Sequence, residues 1–238
     1  MFNLHKAEAG WRHEKKYLLT YGVYEVLKRR CGAVMNTDNN AKDGGYRVTS
    51  LYFDDMYRTA YNDKLNGYLK RCKYRVRAYN LSPERITLEA KIKEGEYIRK
   101  KSAPLTLIEY SAMLNSDYSF CEGRRDNEFL QNFYAYARIS NLRPAFITDY
   151  FREAFVAETG NVRVTFDRGL SAGFGTADMF KAAYSQVTDG VVLEVKYDRF
   201  IPSYIEELIT GFPMMSEPVS KFILSAHKNT DVSKRNFI

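Results

Sequence analysis

Alternation between charged and apolar side chains is the feature of this sequence that most restricts its fold. Over residues 70–79 every second side chain is a cation or a tyrosine, and the positions between them are mostly apolar. Successive side chains on a β-strand point to opposite faces of the sheet, so this spacing predicts a strand with one basic face. The cations of that face are Arg71, Lys73, Arg75 and Arg77.

The same alternation recurs on other predicted strands and places carboxylates among the cations. Residues 86–93, 162–167 and 191–198 each have one apolar face and one charged face. A carboxylate beside a cation on one strand face can hold a divalent metal and a phosphate together. The pattern Glu-x-Lys occurs three times, as Glu14-x-Lys16, Glu89-x-Lys91 and Glu194-x-Lys196.

Charged strand faces have two interpretations. The ordinary one is the solvent-exposed face of an antiparallel sheet, although a face selected for solubility would mix positive and negative charges. Four successive cations repel their neighbours, at about 0.2–1 kcal/mol for each adjacent like-charged pair, and a bound polyanion would offset that repulsion. We therefore expect the apolar faces to pack outward under helices while the charged faces line a water-filled tunnel, because a dry core could not hold so many charges.

Strand and helix signals predict an α+β protein, mainly antiparallel β, with a closed β-barrel whose tunnel has a charged interior and with helices packed outside. Gly32 is expected to end the first helix, and Ser82-Pro83 to form the turn between two long strands. No linker or repeat divides the chain, so we expect a single domain over residues 1–238. The predicted strands are 11–19, 46–53, 68–79, 85–93, 95–101, 145–157, 162–168 and 190–198, and the predicted helices are 20–31, 104–114, 125–139, 202–210 and 219–227.

The charge balance narrows the class of partner. The chain has 36 Lys and Arg against 29 Asp and Glu, a formal net charge of +7. A basic excess favours acidic partners such as nucleic acid, polyphosphate, nucleotides or an anionic membrane surface, and does not choose among them.

Cysteine usage and the N-terminal residues indicate a cytoplasmic protein. Cys31, Cys72 and Cys121 are odd in number and far apart, so neither a disulfide framework nor a zinc site is expected. Residues 1–10 lack the apolar stretch of a signal peptide, and no apolar run approaches the length of a membrane span.

Short strings along the chain, taken in order, resemble the polyphosphate-polymerase (VTC) domain of the triphosphate tunnel metalloenzyme superfamily. Their combination is specific, although each string alone is not. The resemblance implies an antiparallel barrel whose tunnel holds polyphosphate together with a divalent metal, Mn²⁺ or Mg²⁺. The strings, between Arg12 and His227, are RHEKKYLL, SLYFDD, KYRVRAY, LEAKIK, RPAFITDYFREAF, VRVTFDRGL, VLEVKYDRFIP and VSKFILSAH.

Carried over by position, the resemblance implies roles for individual residues. Glu194 matches the metal-binding glutamate. Glu14 stands alone on the first strand where hydrolytic relatives carry two glutamates, which favours the polymerase branch and leaves open whether Glu14 also binds the metal. The implied catalytic residues are Arg75, Arg77, Lys91 and Lys196, and the implied substrate-binding residues are Lys16, Lys64, Arg71, Lys73, Arg152, Ser220 and Lys221.

The start of the last predicted helix breaks a local rule. Ser220 is a plausible N-cap, but the helix dipole disfavours a cation at Lys221 in the first turn. Lys221 is therefore either an exposed lysine without a role or, as the resemblance implies, a phosphate contact.

The implied activity is that of an ATP–polyphosphate phosphotransferase, a polyphosphate kinase-type enzyme with ATP or another nucleoside triphosphate and inorganic polyphosphate as partners. A growing polyphosphate end is already an oxyanion, so no catalytic role is expected for His5, His13 or His227. Two alternatives stay open: hydrolysis of triphosphate or polyphosphate in the same tunnel, and a module that binds polyanion or nucleic acid without catalysis, with some of the 19 tyrosines stacking on bases. Nucleic acid is not expected as a partner, and a membrane-protein partner cannot be read from the sequence.

Overall fold

The computed structural model describes residues 10–41, 44–212 and 219–235, and a ten-stranded antiparallel sheet forms its centre. The strands are β1 Arg12–Leu19, β2 Asn36–Thr37, β3 Tyr46–Asp54, β4 Lys70–Tyr79, β5 Ser82–Glu94, β6 Tyr97–Leu105, β7 Arg143–Ala157, β8 Val162–Phe174, β9 Ser185–Gln186 and β10 Val191–Tyr197. The helices are α1 Tyr21–Val34, α2 Thr59–Leu65, α3 Leu107–Leu114, α4 Glu128–Ile139, α5 Ser203–Ile209 and α6 Lys221–Arg235.

The sheet closes on itself. Its strand order is β2-β7-β3-β4-β5-β6-β1-β10-β8-β9, and β7 also pairs with β8 over most of its length. That pairing leaves β2 and β9 as short additions and makes a closed barrel of the other eight strands. The predicted α+β class and the closed antiparallel barrel are confirmed.

The two largest apolar clusters lie outside the barrel wall, under the helices. On one side, Leu88 of β5 packs in a buried cluster with Met113 of α3 and Phe133 of α4. On another side, Leu27 of α1 and Ile205 of α5 are buried in a second cluster against the outer faces of β8 and β10. Because these faces are committed to the helices, the alternate side chains of the same strands must point into the barrel.

Helix α6 differs from the other helices because it begins against side chains that face inward. Phe222 stacks edge-on with Tyr52 of β3 and Phe146 of β7, with ring centroids 5.1 and 4.9 Å away. The start of α6 therefore forms part of the inner surface of the barrel. No helix within the described ranges is long and apolar enough to cross a membrane.

Two local predictions were wrong. The turn between β4 and β5 is Asn80-Leu81, where both residues have positive φ (51° and 53°), as a two-residue hairpin requires, so Ser82 and Pro83 open β5 instead. Helix α1 runs past Gly32 to Val34, and the N–H of Met35 closes its last turn on the carbonyl of Cys31. Burial of Cys31 and Met35 in that turn outweighs the roughly 1 kcal/mol by which glycine disfavours a helix.

With apolar side chains outside the barrel and charged side chains inside it, two truncations on β5 are expected to have different effects on stability. Leu88→Ala should lower the free energy of unfolding by about 2–5 kcal/mol, because it opens a cavity in the core outside the barrel. Lys93→Ala should leave that free energy unchanged or raise it, since Lys93 lies directly opposite the like-charged Arg71. Chemical denaturation measures both, and a larger loss for Lys93→Ala than for Leu88→Ala would contradict the arrangement.

Candidate functional site

The barrel encloses a cavity of about 830 Å³, here called the tunnel. The sequence-predicted site residues were expected to converge, and all of them line this cavity. The structure brings these residues together around one cavity, and their assignment as site residues stays a prediction. They are Glu14, Lys16, Lys64, Arg71, Lys73, Arg75, Arg77, Lys91, Arg152, Glu194, Lys196, Ser220 and Lys221.

One wall of the tunnel is a ladder of cross-strand pairs between β4 and β5. Arg75 lies opposite Glu89 and donates to its Oε2 from Nε (2.8 Å) and Nη2 (2.7 Å). Arg77 Nη1 and Lys100 Nζ are 3.7 and 3.2 Å from the same carboxylate. Burial would raise the pKa of Glu89, but the charges of Arg75, Arg77 and Lys100 outweigh it and hold that pKa well below its usual range. Glu89 therefore serves as the counter-ion of the two arginines.

Glu14 and Glu194, from neighbouring strands β1 and β10, form a pair of buried carboxylates bridged by lysines. Lys16 Nζ lies 3.3 Å from Glu14 and 3.6 Å from Glu194, and Lys196 Nζ lies 3.6 and 3.2 Å from the same two groups. Lys91 Nζ adds two contacts of 2.7 Å to Glu14. Burial opposes ionisation of Glu194, yet Lys16, Lys196 and Lys221 hold its pKa well below normal.

Asp167 of β8 organises the cations beside Glu194, and no role was predicted for it from the sequence. It accepts two hydrogen bonds from Arg152, 2.6 and 2.7 Å long, and one of 2.5 Å from Lys221 Nζ. Arg152 and Lys221 also approach Glu194, at 3.1 and 3.7 Å. Lys221 is thus buried and paired, so its interpretation as an exposed lysine is wrong. The signal for Asp167 was its place on the charged face of residues 162–167.

Two tyrosines in the tunnel were also missed. Tyr52 OH accepts from Arg75 Nη1 at 2.9 Å, and Tyr150 OH accepts from Arg77 Nη2 at 3.3 Å. Burial would raise the pKa of Tyr52, but Arg75 and Arg77 reverse the effect and lower it. These rings hold the arginine forks in place. In the sequence their large aromatic rings are typical of core residues. Only their position in the alternation along each strand indicates that they face inward.

Four cations at the β4–β5–α2 end of the tunnel have no carboxylate within 4 Å among the residues that the structure describes: Lys64, Arg71, Lys73 and Lys93. Lys73 Nζ lies 3.6 Å from the centroid of the Phe222 ring, and burial together with Lys91 and Lys16 pushes the pKa of Lys73 well below its usual value. The tunnel therefore has a centre where charges are balanced and an end where positive charge is not.

The carboxylates fit a divalent metal only as a partial site. Within the described ranges no three or more His, Cys, Asp or Glu residues gather into a metal-binding group. Mg²⁺ commonly uses one or two carboxylates and takes its other ligands from substrate phosphates and water. Glu14 and Glu194 offer such a pair, since both contact Lys16 and Lys196, and they fit a metal that is held jointly with a phosphate chain.

Histidine is not among the tunnel-lining residues that the structure describes. His13 lies on the opposite face of β1 from Glu14 and stacks on Tyr197 at 4.9 Å. His227 Nε2 is 2.6 Å from the hydroxyl of Tyr61. The chemistry available in the tunnel is thus the binding and charge neutralisation of a polyanion by arginine, lysine and carboxylate-held cations.

Comparison with known proteins agrees with the sequence resemblance and with the fold. The model of the VTC domain matches residues 11–228. No curated protein sequence matches this chain. A candidate adenylate cyclase from Bacillus halodurans is 13% identical with a TM-score of 0.55, over 89% of this chain and 95% of that chain. Another from Vibrio parahaemolyticus is 14% identical with a TM-score of 0.51, over 92% of this chain and 100% of that chain. At these identities the structures support the fold alone.

The counter-ion role of Glu89 predicts an acid-sensitive contribution to stability. Its pKa is depressed in the folded state, so the stabilisation is present above the ordinary glutamate pKa, about 4.3, and is lost as the pH falls below it. Glu89→Gln should cost about 3–5 kcal/mol at pH 7, because it leaves Arg75 and Arg77 without their partner, and the difference from the unmodified chain should shrink in acid.

Thermal melts of both proteins between pH 7 and 3 measure this difference. Glu84→Gln, at an exposed position of the same strand, is the control and should melt like the unmodified chain. A difference that stayed constant down to pH 3 would contradict the counter-ion role.

Proposed function

This chain belongs to the VTC-domain family of the triphosphate tunnel superfamily, and from that premise we propose that it is a phosphotransferase that extends polyphosphate. It would move the terminal phosphate of a nucleoside triphosphate, such as ATP, onto a polyphosphate chain inside the tunnel. The observation that carries the proposal is the tunnel itself, where paired arginines, two close carboxylates and lysines without a carboxylate partner among the described residues face one another.

Binding would rest on the arginine forks and the lysines. Arg75 and Arg77 are fixed by Glu89, Tyr52 and Tyr150, so little side-chain entropy is lost when they grip phosphate oxygens. Lysines at the unbalanced end add point charges that a polyanion neutralises. Phosphoryl transfer needs chiefly such positioning and charge stabilisation, because negative charge spreads over the equatorial oxygens.

The phosphoryl transfer requires no proton to be added or removed. An oxygen of the terminal phosphate of the chain attacks the γ-phosphorus, a new P–O–P link forms, and the bond to the nucleoside diphosphate breaks with its electron pair on the leaving oxygen. Lys91, Lys196 and Arg152 surround the Glu14–Glu194 pair, where the charge on the leaving oxygen would be met. A divalent metal held by Glu194 and Glu14 would supply further charge neutralisation at the bridging oxygens.

The choice of transfer rather than hydrolysis rests on the nucleophile. A side chain that activates water as a general base works best when its pKa lies near the working pH. Cations outweigh burial at Glu14, Glu89, Asp167 and Glu194 and lower the pKa of each, so these carboxylates are poorly suited to that role. A phosphate oxyanion needs no general base, and we therefore take it as the nucleophile.

Product analysis after incubation with ATP and Mn²⁺ tests the proposal. We expect ADP and a ladder of polyphosphate in matched amounts. Glu194→Gln should reduce turnover far more than it reduces the binding of tripolyphosphate without metal, because it keeps the shape and removes a charge that would hold the cation. Orthophosphate as the sole phosphate product would instead support hydrolysis, a cyclic nucleotide with pyrophosphate would support cyclase chemistry, and binding without turnover would support a non-catalytic module.

A further inference from the structure

A second cavity, of about 360 Å³, lies outside the barrel wall at the β4–β5 end and is here called the side pocket. Helix α2 contributes Thr59, Ala60 and Asp63 to it, and α4 contributes Tyr136. The side pocket and the tunnel share two lining residues, Arg71 and Lys93, which lie directly opposite each other on β4 and β5. These two cations therefore stand at the junction between the two cavities.

The lining of the side pocket differs from that of the tunnel. Ala60 and Ile92 provide apolar surface, and Tyr136 is 37% exposed. Asp63 adds a carboxylate that can accept hydrogen bonds from hydroxyl and amino groups. Lys70, which is paired with Glu94 at 3.1 Å, joins Arg71 and Lys93 as the cations of the lining. An apolar surface with one aromatic ring and a few polar groups is suited to a sugar and a base.

Inward from this junction the cations continue along β4 and β5. The next inward-facing cross-strand pair after Arg71 and Lys93 is Lys73 and Lys91, one two-residue step or about 7 Å along the strands. Lys91 Nζ is 2.7 Å from both carboxylate oxygens of Glu14, so the step ends at the carboxylate pair. The length of the step is comparable with that of a triphosphate chain.

We propose that the side pocket binds the nucleoside of the donor triphosphate, with its phosphates lying along Arg71 and Lys93 at the end of the barrel and its terminal phosphate reaching Glu14 and Glu194. The assignment rests on the phosphotransferase function proposed above and adds the position and direction of the donor. It leaves the opposite part of the tunnel, around Arg77 and Arg152, for the acceptor chain.

Calorimetric titration of two ligands tests the side pocket: ATP, which carries a nucleoside, and inorganic tripolyphosphate, which does not. Tyr136→Ala should weaken ATP binding by about tenfold, the scale of one aromatic stack on a base, and leave tripolyphosphate binding unchanged. Tyr134→Ala is the matched control, since it removes a tyrosine from the same helix without touching the side pocket, and should change neither affinity.

A substitution that fills the side pocket with a larger side chain provides a second test. Cys72 lines the side pocket on the outer face of β4, and Cys72→Phe should weaken ATP binding while tripolyphosphate still binds, which also shows that the variant is folded. Unchanged ATP binding in both Tyr136→Ala and Cys72→Phe, or an equal loss for the two ligands, would overturn the proposal.

Binding of the two ligands to the unmodified chain distinguishes a failure of the side-pocket proposal from a failure of the phosphotransferase function on which it rests. If ATP and tripolyphosphate bind it equally well, the tunnel keeps its function and the nucleoside pocket is refuted. If tripolyphosphate does not bind at all, the phosphate tunnel itself is refuted, and the side pocket assignment falls with it.

Discussion

Lys73 faces Lys91 across neighbouring strands, and Arg71 faces Lys93 one pair further along, all on the inner surface of a closed barrel. Like charges at this spacing repel, and none of the four can retreat into an apolar core. The rest of the architecture depends on this constraint. The interior of the barrel has to remain hydrated, so the apolar faces of the strands have to point outward and be covered by helices. Leu88 and Phe133 therefore lie in a core outside the barrel wall.

Compensation of charge divides the tunnel into regions with different properties. In the centre, Glu89, Asp167 and the Glu14–Glu194 pair balance the surrounding cations through contacts of 2.5–3.7 Å. At the β4–β5–α2 end, within the described residues, the cations have no such partner. A phosphate chain would neutralise that end on entering, while the centre would hold a reacting phosphate among groups that are already fixed in place. Affinity and positioning are thus supplied by different residues.

Strand parity made much of this predictable from the sequence. A period of two identified both faces of β4, β5, β8 and β10, and side chains on one face of a closed barrel must meet in its interior. Parity could not identify groups that other elements contribute: Phe222 reaches the inner surface from helix α6. Tyr52 and Tyr150 do have the parity of inward-facing residues, but a large aromatic ring on a strand is also typical of a core residue. The side pocket depends on how α2 and α4 pack against the barrel, which no local pattern specifies.

The central claim is that the inside of the barrel, not its outer surface, receives the polyanion. A crystal structure of the chain with inorganic tripolyphosphate tests this claim most directly, because the anion either lies among the inward-facing side chains or does not. The account predicts phosphate oxygens within hydrogen-bond distance of Arg75 or Arg77 and of at least one of Lys73 and Lys93. Tripolyphosphate bound only on the outer surface, with no phosphate oxygen on the tunnel arginines, would contradict it.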